Sequence, residues 1–227
     1  MRFFLTLLVA IGIAMPAMAD MDKRLITVTG RAEVTAKPDM ATITLGVEAA
    51  RKSASDAMAE VSRGTAAVFQ TLEQAGIEAR DIQTSGLNLY MVWNNSSGTN
   101  RRVDGFNASN MVTVRVRDLD QLGGILDAVI RDGANRFQGV AFGLQDPDPA
   151  MDEARKAAVT EARRKAELYA VAAGVELGEL QSLSEAGGAS PSPMPMMEAA
   201  RSFAADVPIA PGELAVSAQV SLVYAIE

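Results

Sequence analysis

The stretch 105–133, GFNASNMVTVRVRDLDQLGGILDAVIRDG, constrains the fold more than any other part of the chain. Val112, Val114 and Val116 alternate with Thr113, Arg115 and Arg117. A period of two, rich in β-branched residues, is a strand with one buried face. Asp118 then suits a helix N-cap. Leu119, Leu122, Leu126 and Val129 recur at helical spacing, and Gly133 suits the stop. A half-buried strand therefore hands over directly to an amphipathic helix. The rest of the chain must supply more strands beside this one and more helices to cover the same face.

The flanking sequence does so. Residues 26–34 read as a strand, and Lys37-Pro38-Asp39 as a turn, because proline fixes φ and aspartate can bond its own backbone. Ala41, Ile43, Leu45 and Val47 alternate with Thr42, Thr44 and Glu48, giving a second strand and predicting a hairpin. Ser53 and Asp56 form a capping box ahead of a stripe of Ala57, Val61, Thr65, Val68 and Leu72, which Gly76 ends. Residues 82–92 read as a third strand, followed by a polar hairpin tip, NNSSGTNRR, at 94–102. Residues 137–144 form a strand after the central stretch. The motif DPDP at 146–149 opens a long helix, with Asp148 as N-cap, Pro149 at the first position and Asp152 and Glu153 against the macrodipole.

The inner stripe predicted for that helix is Met151, Ala154, Ala158, Ala162, Ala166, Tyr169 and Ala173, with Gly174 as the stop. Small side chains there let the helix lie close to the sheet. Residues 177–186 suit a further strand. Residues 187–212, rich in Pro, Ala, Met and Ser, read as a flexible insert. Leu214, Val216, Ala218, Val220, Leu222, Tyr224 and Ile226 then alternate without a break, the strongest strand signal in the chain. Strands before, between and after helices predict an α+β fold, with a mixed or antiparallel sheet and amphipathic helices packed on it. LEQAG at 72–76 and VIRDG at 129–133 are both helix ends that feed strands, without the fixed period of a repeat.

Composition narrows the chemistry. The 227 residues contain neither histidine nor cysteine. That removes the commonest general base, the Ser-His-Asp arrangement, imidazole and thiolate metal ligands, and disulfides. A formal charge of −7 argues against a nucleic-acid partner. Residues 1–19 read as a secretory signal peptide: Arg2, an apolar run at 3–15 and the small-residue site Ala17-Met18-Ala19. Cleavage after Ala19 would leave a single domain at 20–227. No later apolar run is long enough to span a bilayer, so no stable membrane insertion is expected after cleavage.

Several side chains could carry chemistry. Asp146, Asp148, Asp152 and Glu153 offer oxygen ligands to Ca²⁺ or Mg²⁺, but their spacing fits a helix start and no D-x-[DN]-x-[DN]-G loop is present. Arg163, Arg164 and Lys165 form either an anionic docking point or a solvated face paired with Glu161 and Glu167. Arg115 and Arg117 either pair across strands with a residue such as Glu48 or line a subunit interface. Tyr90 and Trp93 near the hairpin tip suit a membrane surface or, preferably, hairpin packing. The run Pro193-Met194-Pro195-Met196-Met197 could be oxidised or bind Cu(I), yet fits a linker on composition. No P-loop, G-x-G-x-x-G or G-x-S-x-G occurs. No catalytic, cofactor-binding or metal-binding residue is assigned, and an enzyme is not expected.

Four segments together resemble the SIMPL-domain, YggE-like family, which includes periplasmic immunogenic proteins of Gram-negative bacteria. They are ITVTGRAEVTAKPDMATITLGVE, AGIEARDIQTSGLNL, GFNASNMVTVRVRDLDQLGGILDAVIRDGAN and EARKAAVTEARRKAELYAVAAGVELGEL, in family order over nearly all of the expected mature chain. The resemblance implies a periplasmic α+β protein, a homo-oligomer, as rings or channel-like assemblies in some members, and a link to oxidative-stress defence. It brings no catalytic residues. Three function classes follow: a self-assembling protective protein, a binding module for a lipid, peptide or metal, and an unrecognised hydrolase. The first leads, and the missing histidine counts against the third.

Overall fold

A computed structural model describes residues 24–94, 102–186, 192–194 and 209–227. Residues 1–19, read as a signal peptide, lie outside the described residues, as does most of the tip at 94–102. The elements in chain order are β1 (Leu25–Ala36), β2 (Met40–Arg51), α1 (Ala54–Gln74), β3 (Ile82–Asn94), β4 (Arg102–Val116), α2 (Leu122–Arg131), β5 (Arg136–Gly143), α3 (Asp148–Ala173), β6 (Leu177–Glu185), β7 (Ser192–Met194) and β8 (Glu213–Ile226).

The α+β class holds, but the strands form two antiparallel sheets rather than one. The first has the order β1-β8-β6, with β7 also on β8. The second has the order β3-β4-β2-β5. Over β2-α1-β3-β4-α2-β5 that order is the split βαβ arrangement. The predicted β1–β2 hairpin does not form. All twelve residues of β1 pair with β8, from Leu25 opposite Ala225 to Ala36 opposite Leu214, while β2 is flanked on both sides by β4 and β5. Alternation fixes which face of a strand is buried; it does not name the partner. The short turn carries the chain from one sheet to the other.

In the second sheet the predicted facing is observed. Val112, Val114 and Val116 are buried together with Ala41, Ile43 and Leu45, under Val68 and Leu72 of α1 and Leu122, Ile125, Leu126 and Val129 of α2. Ser53 caps α1: its Oγ accepts from the Asp56 backbone N–H at 3.1 Å and donates to the Asp56 carboxylate at 2.7 Å. Asp118 caps a 3₁₀ turn, Leu119–Gln121, that leads into α2. Both helices close alike, on Gly76 (φ 81°) and Gly133 (φ 118°), with Ile77 N–H donating to Leu72 O and Ala134 N–H to Val129 O. The Thr71 hydroxyl donates to Asp132, tying the two helix ends together.

The first sheet is covered by α3. Its buried stripe is Ala154, Ala158, Ala162, Ala166 and Ala170. Tyr169 and Ala173, expected on the inner face, are exposed, because the stripe settles on a spacing of four through alanine alone. Across from it Val28, Val216, Ala218, Val220, Leu222 and Tyr224 complete the core. Asp148 is the first helical residue rather than the N-cap. Pro147 already has helical dihedrals, and Asp146 supplies the capping oxygen, 3.1 Å from the Asp148 N–H. Within the stretch 187–212, read as a flexible insert, β7 pairs with β8 and Ile209 packs against the core of the second sheet.

Candidate functional site

Several of the charged side chains singled out in the sequence are held in ion pairs, some within α3 and some between elements. Asp152 pairs with Arg155 at 3.1 Å, and Arg155 reaches Glu185 of β6 at 2.9 Å. Among the described residues no group of three or more acidic side chains gathers into a metal site. Arg163 pairs with Glu167, and Arg164 and Lys165 with Glu161, on the exposed side of α3. Arg164 holds the Glu161 carboxyl down to about 2. Lys165 also donates to the carbonyl of Thr29.

Neither Arg115 nor Arg117 pairs with Glu48. Glu48 accepts from Arg136 of β5 at 3.0 Å and from Asn107 of β4 at 2.6 Å. Arg117 instead forms a two-pronged pair with Asp81, Nε to Oδ2 and Nη2 to Oδ1, both 2.7 Å. Asp81 is buried, and its bond to Arg117 holds its carboxyl below the usual carboxylate range despite the opposing effect of burial. Arg117 Nη1 also donates to Gln145, whose N–H and side-chain amide donate to Asp39 at 2.7 and 3.0 Å. The two crossings between the sheets, at Asp39 and Gln145, are thereby clamped together. Sequence reasoning missed Asp81; its only signal is an acid after the helix-ending Gly76, immediately ahead of a strand.

The uncovered chemistry lies at β3. Among the described residues this strand pairs with β4 alone and forms an outer edge of its sheet. By alternation Leu87, Leu89, Met91 and Trp93 share one face. Leu89 lies opposite Ala108 and Met91 opposite Phe106, so this is the face that bears α1. But α1 packs on β2 and β4 and stops short of β3. The four side chains are 45–58% exposed, and Val103 opposite Trp93 is exposed too. On the other face Tyr90 is half exposed, its hydroxyl accepting from Asn107 at 3.0 Å. Tyr90 and Trp93 therefore belong to a longer apolar ribbon and are not packed away within the hairpin. The ribbon was legible as an absence: residues 82–94 contain no charge. The other long edge strands carry Arg31 and Glu33 (β1), Arg136 (β5), and Glu179 and Glu185 (β6).

A second feature is a mostly apolar hollow of about 210 Å³ between α2 and β5, lined by Leu45, Leu126, Val129, Ile130, Ala134 and Phe137 together with Asn135 and Arg136. The Met-rich run is described only at 192–194, whose backbone pairs with β8; residues 195–197 lie outside the described residues. No described helix is long and apolar enough to cross a membrane.

Comparison with known proteins places these features in context. Residues 26–224 match the family described as SIMPL, protein of unknown function (DUF541). The chain is similar to the 26 kDa periplasmic immunogenic protein of Brucella melitensis, at 34% identity over 99% of this chain and 95% of that protein. It is also similar to the uncharacterized protein YggE of Escherichia coli K12, at 32% identity over 76% of this chain and 70% of the relative. The YggE of Edwardsiella ictaluri is 32% identical over 70% of this chain and 66% of its own length.

Proposed function

This chain belongs to the SIMPL family, and from that premise we propose that it is an exported periplasmic protein that protects the cell envelope by self-assembly, without catalysis. The observation that carries the reading is the β3 edge: thirteen residues without a charge, with Leu87, Leu89, Met91 and Trp93 half exposed. Soluble proteins usually blunt such an edge with charge, proline or a covering element, because an open apolar strand invites another chain. Periplasmic residence is supported by the name of the Brucella relative and by the signal-peptide pattern at 1–19. The connection with oxidative-stress defence rests on the family resemblance. The lack of an imidazole or thiol, and the use of the notable charges in ion pairs, favours assembly over catalysis.

The hollow beside α2 favours a second reading, a binding module for a small apolar ligand. Its lining is mostly apolar, with Asn135 and Arg136 also reaching it, and Ile130 and Phe137 are half exposed. Native mass spectrometry of protein released from a periplasmic extract tests both. A subunit mass starting at Asp20, in a multimer without added mass, supports assembly. A monomer retaining a small molecule supports the binding module and sinks assembly.

A further inference from the structure

We propose that two copies of this chain join edge to edge through β3, antiparallel and about a two-fold axis at Tyr90, forming one eight-stranded sheet. The proposal rests on the self-assembly reading and specifies the surface and its register.

Among the described residues the long sheet-edge strands differ in what they offer a second chain; the three-residue β7 on β8 is uncharged but carries Pro193, which has no N–H to donate. The edges at β1, β5 and β6 each carry one or two charges. An approaching copy would have to desolvate them or find partners for them. Strand β3 has none. Its first part is also unsuited to pairing: the register against β4 shifts between Thr84 and Gly86, a bulge that turns the edge. From Gly86 to Val92 the pairing runs without a shift. A second shift falls between Val92 and Trp93, but there the extra residue is Asp104 of β4, so β3 itself runs on without a bulge from Gly86 through Trp93, the segment that carries the apolar stripe.

Symmetry then sets the register. A two-fold axis perpendicular to a sheet keeps each side chain on its own face, so the helix-bearing faces of both copies lie on the same side. Opposed residues in an antiparallel pair share a face. Residue numbers of opposed pairs must therefore sum to an even number. The stripe Leu87, Leu89, Met91, Trp93 is centred on 90, and a sum of 180 is the one that engages all four residues. Leu87 then lies opposite Trp93 of the second copy, Leu89 opposite Met91, and Tyr90 opposite Tyr90. Aromatic and aliphatic cross-strand pairs of this kind stabilise a sheet. On the other face Asn88 meets Val92. The occupant that fits is another copy, because the stripe is complementary to itself and no charge on it calls for an opposite one.

The cysteine-free sequence allows a direct test. Opposed Cβ atoms are about 4.5–5.5 Å apart, near disulfide reach. Tyr90→Cys should give a disulfide-linked dimer under mild oxidation, and Thr29→Cys on the exposed face of β1 should not. Val92→Cys alone should not cross-link, but mixed with Asn88→Cys it should. Leu89→Lys with Met91→Lys should raise the dissociation constant at least tenfold in analytical ultracentrifugation, with the circular dichroism spectrum and melting temperature kept. Multimers that survive the lysines without cross-linking at 90 overturn the β3 interface and leave self-assembly standing. A wild type that is monomeric at tens of micromolar overturns both. A monomer that instead co-sediments with phosphatidylethanolamine–phosphatidylglycerol vesicles, and loses this with the lysines, overturns the proposal in favour of a membrane surface.

Discussion

Gly30 is the position where one methyl group should do the most damage. It sits mid-strand in β1, opposite Val220, on the face covered by α3. A Cβ built there would lie 2.0 Å from the carbonyl oxygen of Ala158 and 2.7 Å from both the Cβ and the N of Ala162. Ordinary contact begins at 3.4 Å, so the helix would have to retreat by 3.4 − 2.0 = 1.4 Å along that contact. Nothing flexible stands in the way to absorb this, since the atoms are backbone and the α3 stripe is alanine from Ala154 to Ala170. A helix that lifts off loses dispersion contacts along its length, because a gap of an ångström forfeits much of each contact. Overpacking of a well-filled core costs about 1–3 kcal/mol, and a backbone obstacle puts Gly30→Ala toward the top, about 2–3 kcal/mol.

For a domain of this size 1 kcal/mol is worth about 2–4 °C, so Gly30→Ala should lower the melting temperature by about 4–12 °C. Differential scanning calorimetry on the mature protein reads this. The comparison is Gly124→Ala in α2, where a Cβ meets nothing within 4 Å. That change should be neutral or raise stability by up to about 1 kcal/mol, the helix-propensity difference between the two residues. If Gly30→Ala melts with the wild type, the close seating of α3 on β1 is wrong.

Two further substitutions probe the second sheet. Val114→Asp places a carboxylate at a fully buried site and should cost about 4 kcal/mol or more. Thr113→Asp, on the opposite face, should cost well under half of that, and equal melting of the two refutes the facing. Asp81→Asn should destabilise by about 1–3 kcal/mol at pH 7, by weakening charge-assisted bonds to Arg117. The Asp81 carboxyl is depressed below its ordinary 3.8, so its contribution is fully present above that value. The gap between wild type and variant in urea titrations should hold from pH 7 to about pH 4 and shrink as pH falls further. A gap that widens with acid contradicts the ion pair.

What the sequence conveyed, and what it withheld, follows from the range of each interaction. Burial faces were readable because alternation is local: each valine of 112–116 and each odd position from Ala41 to Val47 reports its own side of the sheet. Caps were readable for the same reason, as Ser53 and Gly133 act within one turn. Partners were not readable. β1 and β2 are separated by three residues, yet each pairs with strands far along the chain, and neither alternation nor turn length distinguishes β8 from β2 as a mate for β1. Ion pairs failed similarly: Glu48 is paired by Arg136 because the β2–β5 register brings them together, which no pattern around Glu48 encodes.

The edge of β3 lies between these cases. Its lack of charge is local and was visible in residues 82–94, but it gains meaning only once β3 is known to be an edge. In a central strand the same residues would be ordinary core. Among the described residues the topology leaves one side of the strand open, while β1, β5 and β6, left equally open, keep their charges. Among the described residues three of the four long edge strands are guarded by charge and β3 is bare, which distinguishes it as the place where a second chain can add on without burying a charge.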